Sequence, residues 1–396
     1  MNQPPILIDN FHPLAVIRPN SVGDVCDLVR RAAAENVGLY PFGGGTMLHV
    51  GLPPAKPGYA VDLRGLDQVI DYPARDMTIT VRAGIAIAKL QEILAAENQR
   101  LPIDVPNAEV ATLGGSIAAN VSGPRRYGFG TLRDYVIGIS FTDDQGHEVK
   151  AGGRVVKNVA GYDLCKLQIG ALGTLGIVTQ ATLKLKPLPE DQALVVIPCP
   201  IERLGGLLDL IHGSATRPVS VDVHSMPEPA VIVGFEENPD AVAWQVEQLK
   251  RELPADCSPR ISAGEAAPGE WRRLLETPLD PGRLEFKANL VPSALANYLQ
   301  LLSADSNLSW RAHAGNGIVH ASSSADLTLE QASSVLNKLR QAAVAARGNL
   351  VVTRCPTAWK REIGLWGEPR GDWPLMRKVK QQLDPRDLFN PGRFVV

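Results

Sequence analysis

Three glycine-rich stretches, spread over more than a hundred residues, set the strictest limits on how this chain can fold. The first is Pro41-Phe42-Gly43-Gly44-Gly45-Thr46, which follows a helix-like segment and the short apolar run Gly38-Leu39-Tyr40. The second is Thr112-Leu113-Gly114-Gly115-Ser116-Ile117-Ala118-Ala119-Asn120, and the third places glycines at 170, 173 and 176 before Ile177-Val178-Thr179. Glycine has no Cβ, so the backbone can take positive φ and bring its N–H groups against another surface. Consecutive N–H groups in such a loop form an anion nest, and Thr46 adds a hydroxyl donor. A lone GGG also reads as a plain turn. The small residues of the second stretch let a helix start sit tightly on a ligand or on another backbone. Together the three suit one large elongated cofactor better than three unrelated turns.

The nucleotide fingerprints narrow that further. Gly43 and Gly45 fit the first two positions of GxGxxG, but Leu48 stands where the third glycine is required, and no GxxxxGK[ST] is present. A dinucleotide site of the doubly wound kind and a triphosphate loop are both disfavoured. At 396 residues the chain exceeds the size at which single cores split, so two domains are expected. With 40 Lys+Arg against 42 Asp+Glu, a net charge of -2 gives no reason for nucleic acid or an anionic membrane as an obligatory partner. No basic leader and no apolar run of about 18 residues is evident, so a cytoplasmic protein is expected. The five cysteines, 26, 165, 199, 257 and 355, show no CxxC pair. That argues against a disulfide framework, a zinc site or an iron–sulfur cluster carried by this chain, and for isolated buried thiols.

Periodicity predicts a mixed α+β chain. Leu14–Arg18 reads as a strand; Ser21 caps a helix with Val22, Val25, Val29, Ala32 and Ala33 at helical spacing. Ala60–Leu63, Met77–Arg82 and Tyr135–Phe141 read as strands, and Ala86–Asn98 as an amphipathic helix. The proline-bearing run Lys184–Asp191 marks a boundary, after which strands such as Leu194–Ile197 and Val231–Phe235 alternate with helices such as Ala241–Arg251 and Leu329–Arg347.

PFGGGT, TLGGSIAANVSGPRRYG, VVKNVAGYDLCKLQIGALGTLGIVTQATLKLKPLP and the closing LFNPGRF resemble the FAD-linked oxidases that carry the FAD-binding fold of the vanillyl-alcohol oxidase and p-cresol methylhydroxylase (PCMH) family. The resemblance is dense over residues 14–188 and the last fifteen, and thin between. GPRRYG, KNVAGYDL and QQLDPRDLFNPGR are most similar to the FAD-binding E subunits of bacterial glycolate oxidases. The resemblance implies an α+β fold: a PCMH-type FAD-binding domain of two α+β subdomains over 1–188, a smaller α+β cap domain over 189–375, and a tail, 376–396, returning to the FAD domain. It implies that Pro41, Gly43, Gly44, Gly45 and Thr46 cradle the FAD pyrophosphate, that Thr112, Gly114, Gly115, Asn120 and Gly123 form the second cofactor loop, and that Gly176 and Ile177 begin the strand whose backbone meets the cofactor. The Pro41–Thr46 loop holds no His or Cys, so FAD is expected to be non-covalent. Lys157, Asn158, Tyr162 and Asp163 stand either in a direct role or as supports of their loop.

In the second domain the catalytic 2-hydroxyacid dehydrogenases of this family carry a His-x-Gly-Asp-Gly-Asn-x-His segment and a later Glu-His-Gly that together hold a divalent metal. Here the segment reads His313-Ala314-Gly315-Asn316-Gly317-Ile318-Val319-His320, and Val352–Pro356, where the later element should fall, has neither Glu nor His. Two imidazoles without a carboxylate make a poor site for a hard metal. His313 and His320 are therefore expected to be satisfied polar residues on a β-ribbon, and no metal is expected. Three readings follow. The first is an FAD-binding subunit of a glycolate oxidase complex, beside a catalytic flavoprotein subunit with the complete metal motif and an iron–sulfur subunit, reaching the inner face of the plasma membrane through those partners. The second is a self-sufficient FAD-dependent dehydrogenase of the D-lactate or glycolate type, with Arg125, Arg126 or Arg354 holding the carboxylate of a small 2-hydroxy acid. The third is a flavin-stabilised scaffold without turnover.

Overall fold

A computed structural model describes residues 7–154, 162–225, 228–276, 284–323 and 326–395. The chain folds as two compact units, one built from Met1–Ser122, Thr131–Leu188 and Pro369–Val396, the other from Gly123–Gly130 and Pro189–Glu368. Lys157 and Asn158 lie outside the described residues.

In the first unit, the helix Val22–Glu35 starts where the Ser21 side chain accepts from Asp24 N–H while the Asp24 carboxylate takes the Ser21 N–H. It ends on Asn36 in the left-handed conformation, which a short polar side chain tolerates. Val25, Leu28, Val29 and Ala32 form its buried stripe. They pack with Leu39 and Val61, from a parallel three-stranded sheet in the order Val16–Ile17, Gly58–Asp62, Gly38–Phe42. The first of these strands is shorter than its sequence suggests, since only Val16 and Ile17 find ladder partners, Ala60 and Val61. A five-stranded antiparallel sheet follows, in the order Val69–Asp71, Thr78–Arg82, Ile177–Lys184, Val136–Thr142, Glu148–Gly152.

The end of the chain belongs to this unit's core. Leu388 and Phe389 are fully buried among the residues of the first helix and sheet. Leu39 N–H donates to the Leu388 carbonyl at 2.6 Å, and Asn390 N–H donates to the Leu39 carbonyl at 2.9 Å. The buried Lys380 ammonium donates to the Thr174 carbonyl (3.0 Å), the Phe389 carbonyl (3.0 Å) and Asp384 Oδ2 (2.6 Å). An ammonium has three donors, so each of its hydrogens is used.

The second unit is an antiparallel eight-stranded sheet. Its order is Arg260–Ala263, Asp191–Pro198, Ala230–Glu237, Ser220–His224, Leu308–His313, Ile318–Ser323, Leu284–Asn289, Asn349–Arg354. The helices Pro239–Glu252, Leu295–Ser303 and Leu329–Ala345 pack on it. Along each central strand alternate residues such as Val221, Val223, Trp310, Ala312, Phe286 and Ala288 are buried. Period-two alternation then sends the intervening, largely polar residues to the opposite face.

Candidate functional site

The first unit gathers the glycine loops. Gly38–Phe42 runs straight into Gly43-Gly44-Gly45, which lies against the segment 110–112: a Cβ on Gly43 would fall 1.9 Å from Thr112 Oγ1, and one on Gly44 would fall 1.9 Å from the Val110 carbonyl oxygen. Only glycine permits that approach. Gly45 adopts φ 74°, and the N–H groups of Gly44, Gly45 and Thr46 donate to no group among the described residues. Thr112 caps the helix Leu113–Ala119, Gly114 lies against Ala83, and Asn120 ends the helix at φ 49°. The third stretch docks on that helix, Gly170 N–H donating to the Ile117 carbonyl and Leu172 N–H to that of Ala118. Gly173, at φ 65°, sits by Pro41 and Asn390. The pyrophosphate-loop and second-loop glycines, apart from Gly123, are thus neighbours, braced by the tail. Gly176 and Ile177 lie one step away, where the missing Cβ of Gly176 faces Phe141 and Ile177 is fully buried in the sheet core. Gly123 is buried at the start of the segment that belongs to the second unit.

This cradle fits a long phosphate-bearing group on two counts. Undonated N–H groups line a glycine turn, and Asn120 Oδ1 is buried with no hydrogen-bond partner, an acceptor waiting for a donor. Of the KNVAGYDL residues that are described, Tyr162 is 93% exposed and Asp163 is exposed.

The second unit carries a different constellation, built by strand register. Asp222 lies opposite His313 and His224 opposite Arg311; Arg311 lies opposite His320, His320 opposite Lys287, and Glu285 opposite Arg354. Directly opposed residues share a face, so these eight side chains form one polar surface on five neighbouring strands. His313 Nδ1 is 2.5 Å from Asp222 Oδ1, and the His313 and His320 rings meet edge to face at 5.6 Å. Burial drives the His224 imidazole down to about 4, and burial with Lys287, His313 and Arg311 beside it drives His320 well below the usual histidine range. Burial, then the Arg126 guanidinium, pushes Lys287 down to about 8. Burial also lowers Arg311, with Asp222 and Glu285 opposing. At neutral pH His224 and His320 are uncharged, while Lys287, Arg311 and Arg126 are cationic. Glu285 is paired with Arg354 at 2.9 Å, so the face carries a surplus of positive charge.

The three candidate arginines divide. The charge of Arg126 acts on Lys287 of this face. Arg125 donates to the buried Glu236 at 2.6 Å and stacks on Trp271 at 3.9 Å, so its guanidinium holds the unit together. Arg354 is half exposed on Glu285. Tyr127 lies over Gly315, where an added Cβ would come 2.2 Å from the ring, which explains the glycine in the His313–His320 hairpin. Sequence reasoning missed Asp222: it stands 91 residues from His313, and no spacing signal links them. Lys287 and Arg311 were equally silent. Among the described residues no group of three or more His, Cys, Asp or Glu is arranged to hold a metal ion. No described helix is long and apolar enough to cross a membrane.

Residues 13–152 match the family described as FAD binding domain, and residues 289–394 match FAD linked oxidases, C-terminal domain. These matches, with the glycine cradle, define an FAD-dependent oxidoreductase. The chain belongs to the FAD-linked oxidases, with FAD as its cofactor and the mixed α+β fold expected of them. Glycolate oxidase subunit GlcD of Bacillus subtilis (strain 168) is 25% identical over 417 residues, covering 96% of this chain and 89% of that protein. D-2-hydroxyglutarate dehydrogenase of Xanthomonas citri pv. viticola is 28% identical over 426 residues, covering 97% and 89%. Glycolate oxidase subunit GlcE of Escherichia coli (strain K12) is 34% identical over 163 residues, covering 41% of this chain and 46% of that protein.

Proposed function

We propose that this chain oxidises the CH–OH group of a small 2-hydroxy acid to the 2-oxo acid. The observation that carries the reading is the cationic face of the second unit, where Arg311, Lys287 and Arg126 offer a carboxylate three positive charges beside neutral imidazoles. Arginine supplies a planar fork for a carboxylate and Lys287 a point charge. FAD supplies a two-electron hydride acceptor when bound. In the first unit Gly43, Gly44, Gly45 and Thr46 would hold its pyrophosphate through backbone N–H groups, with Thr112, Gly114, Gly115 and Asn120 as the facing loop. The names of the full-length relatives, which concern glycolate and 2-hydroxyglutarate, support the substrate class.

The test is anaerobic mixing of the FAD-loaded chain with glycolate, D-lactate and D-2-hydroxyglutarate. Loss of the oxidised-flavin absorbance with one of them is the expected result; an unchanged spectrum with all three refutes the reading.

A second reading is favoured by the match to GlcE and by the missing Glu-His-Gly at Val352–Pro356: an FAD-binding subunit that relays electrons in a complex. There a separate catalytic flavoprotein and an iron–sulfur subunit complete the reaction, and through them the chain sits on the inner face of the plasma membrane. In that case the acid alone leaves the flavin oxidised, and reduction appears only when the partner subunits are added. A flavin that neither bleaches leaves the scaffold reading.

A further inference from the structure

We infer that Asp222 and His313 are a metal-independent proton-accepting pair for the substrate hydroxyl, with His313 the catalytic base and Asp222 its positioning residue. The inference rests on the 2-hydroxy acid reading above. The pair is assembled by the antiparallel ladder of Ser220–His224 on Leu308–His313, which sets the two residues directly opposite each other. Asp222 Oδ1 stands 2.5 Å from His313 Nδ1, and the side chains are 1% and 9% exposed. The other oxygen, Asp222 Oδ2, is buried without a hydrogen-bond partner, so the carboxylate spends its one hydrogen bond on this ring.

An ionised carboxylate only accepts. Nδ1 must then carry the proton, which leaves the lone pair on Nε2 to act as a base. The same contact removes Nδ1 as a metal donor, and the described residues bring no third ligand to His313 and His320. His320, the other imidazole at this place, has no carboxylate opposite it; its ladder partners are Arg311 and Lys287. Two cations beside His320 make it the poorer proton acceptor, whereas His313 has Asp222 directly opposite it.

In the step itself the substrate O–H bond breaks and its proton passes to His313 Nε2. The oxygen's electrons form the C=O bond, and FAD, when bound, would supply the two-electron acceptor for the Cα hydrogen and its bonding pair. The acid is oxidised by two electrons, and the proton on His313 is later released to water. Asp222 holds the ring in place through the step, the role a carboxylate plays in a Ser-His-Asp triad. The cations Arg311 and Lys287 offset the substrate's carboxylate, which would otherwise oppose Asp222.

The experiment is anaerobic stopped-flow reduction of the FAD-loaded full chain. Asp222→Asn and His313→Gln should lower the limiting rate of flavin reduction by about 10²–10⁴-fold, the usual worth of a general base, with the apparent Kd for the acid unchanged. Asp222→Glu should recover part of the rate. A low-field proton resonance from Nδ1–H is expected in the wild-type spectrum and absent from Asp222→Asn, a readout that needs no turnover and stands even where a variant loads FAD poorly. Dialysis against a chelator should leave the wild-type rate untouched. Variants that reduce flavin at the wild-type limiting rate, or a wild-type rate lost to chelator and restored by a divalent cation, overturn the pair while leaving the 2-hydroxy acid reading standing. A wild-type chain that no 2-hydroxy acid bleaches overturns both.

Discussion

Replacing Gly44 by alanine tests whether the glycine run is a backbone-clearance device. The new Cβ would fall 1.9 Å from the Val110 carbonyl oxygen, 2.5 Å from its carbon and 3.0 Å from Ala111 N. All three atoms belong to backbone, so no rotamer change relieves the clash. A carbon atom does not come closer than about 3.0 Å to such an oxygen, so one loop has to retreat by about 1.1 Å in an interior that is close-packed. Overpacking of this size costs about 1–3 kcal/mol. Charged to cofactor binding, that is a 5- to 150-fold weaker Kd for FAD, on the order of one to two decades. The assay is titration of the apoprotein with FAD, followed by flavin fluorescence, with thermal unfolding in parallel. Gly206 is the internal control: it lies on the exposed side of the helix Leu204–Gly213 with nothing within 4 Å of an added Cβ. Gly206→Ala should leave FAD binding alone and stabilise the chain by about 0.5–1 kcal/mol through the unfolded state. A Gly44→Ala chain that binds FAD as tightly as wild type, with the same unfolding midpoint, refutes the clearance argument.

Two further outcomes follow from Lys287 and Lys380. Lys287, pushed down to about 8, should hold an anionic substrate below that pH and release it above; the Kd for a 2-hydroxy acid should rise as pH climbs through about 8, and Lys287→Met should flatten that slope. Its effect on stability has the opposite sense. Between about 8 and the ordinary lysine value of 10.5 the unfolded chain binds the extra proton, so this residue makes stability increase with pH across that window, as denaturant titrations at several pH values can check. Lys380→Met leaves the charge of Asp384, 2% exposed, with only the Leu388 and Phe389 N–H groups to offset it, and frees the Thr174 and Phe389 carbonyls. A loss of about 3–5 kcal/mol is expected in chemical unfolding, and a change under 1 kcal/mol would show that the anchor is redundant.

What could be read from the amino-acid order alone was the part of the architecture that depends on residue type and short spacing. Glycine's missing Cβ is a local property, so the loops at Gly43–Gly45, Gly114–Gly115 and Gly170–Gly176 were visible as places of close approach. The same loops show what that close approach serves within the fold: Gly43 and Gly44 make room for Val110–Thr112. Capping at Ser21 and apolar periodicity in Val22–Glu35 are equally local, and the helix forms where they point. The polar face of the second unit depends on none of these. Asp222, Lys287, Arg311 and His313 come from three different strands, and only the order and register of the antiparallel sheet bring them onto one face. Two adjacent arginines show the same division. Arg125 and Arg126 look alike in sequence, but Arg125 is committed to Glu236 and Trp271, while the charge of Arg126 acts on Lys287. Sequence determined where the backbone could come close, because that follows from a side chain's absence. Tertiary structure decided which side chains meet, because a sheet pairs strands that lie far apart along the chain and its alternation turns every second residue to the same side.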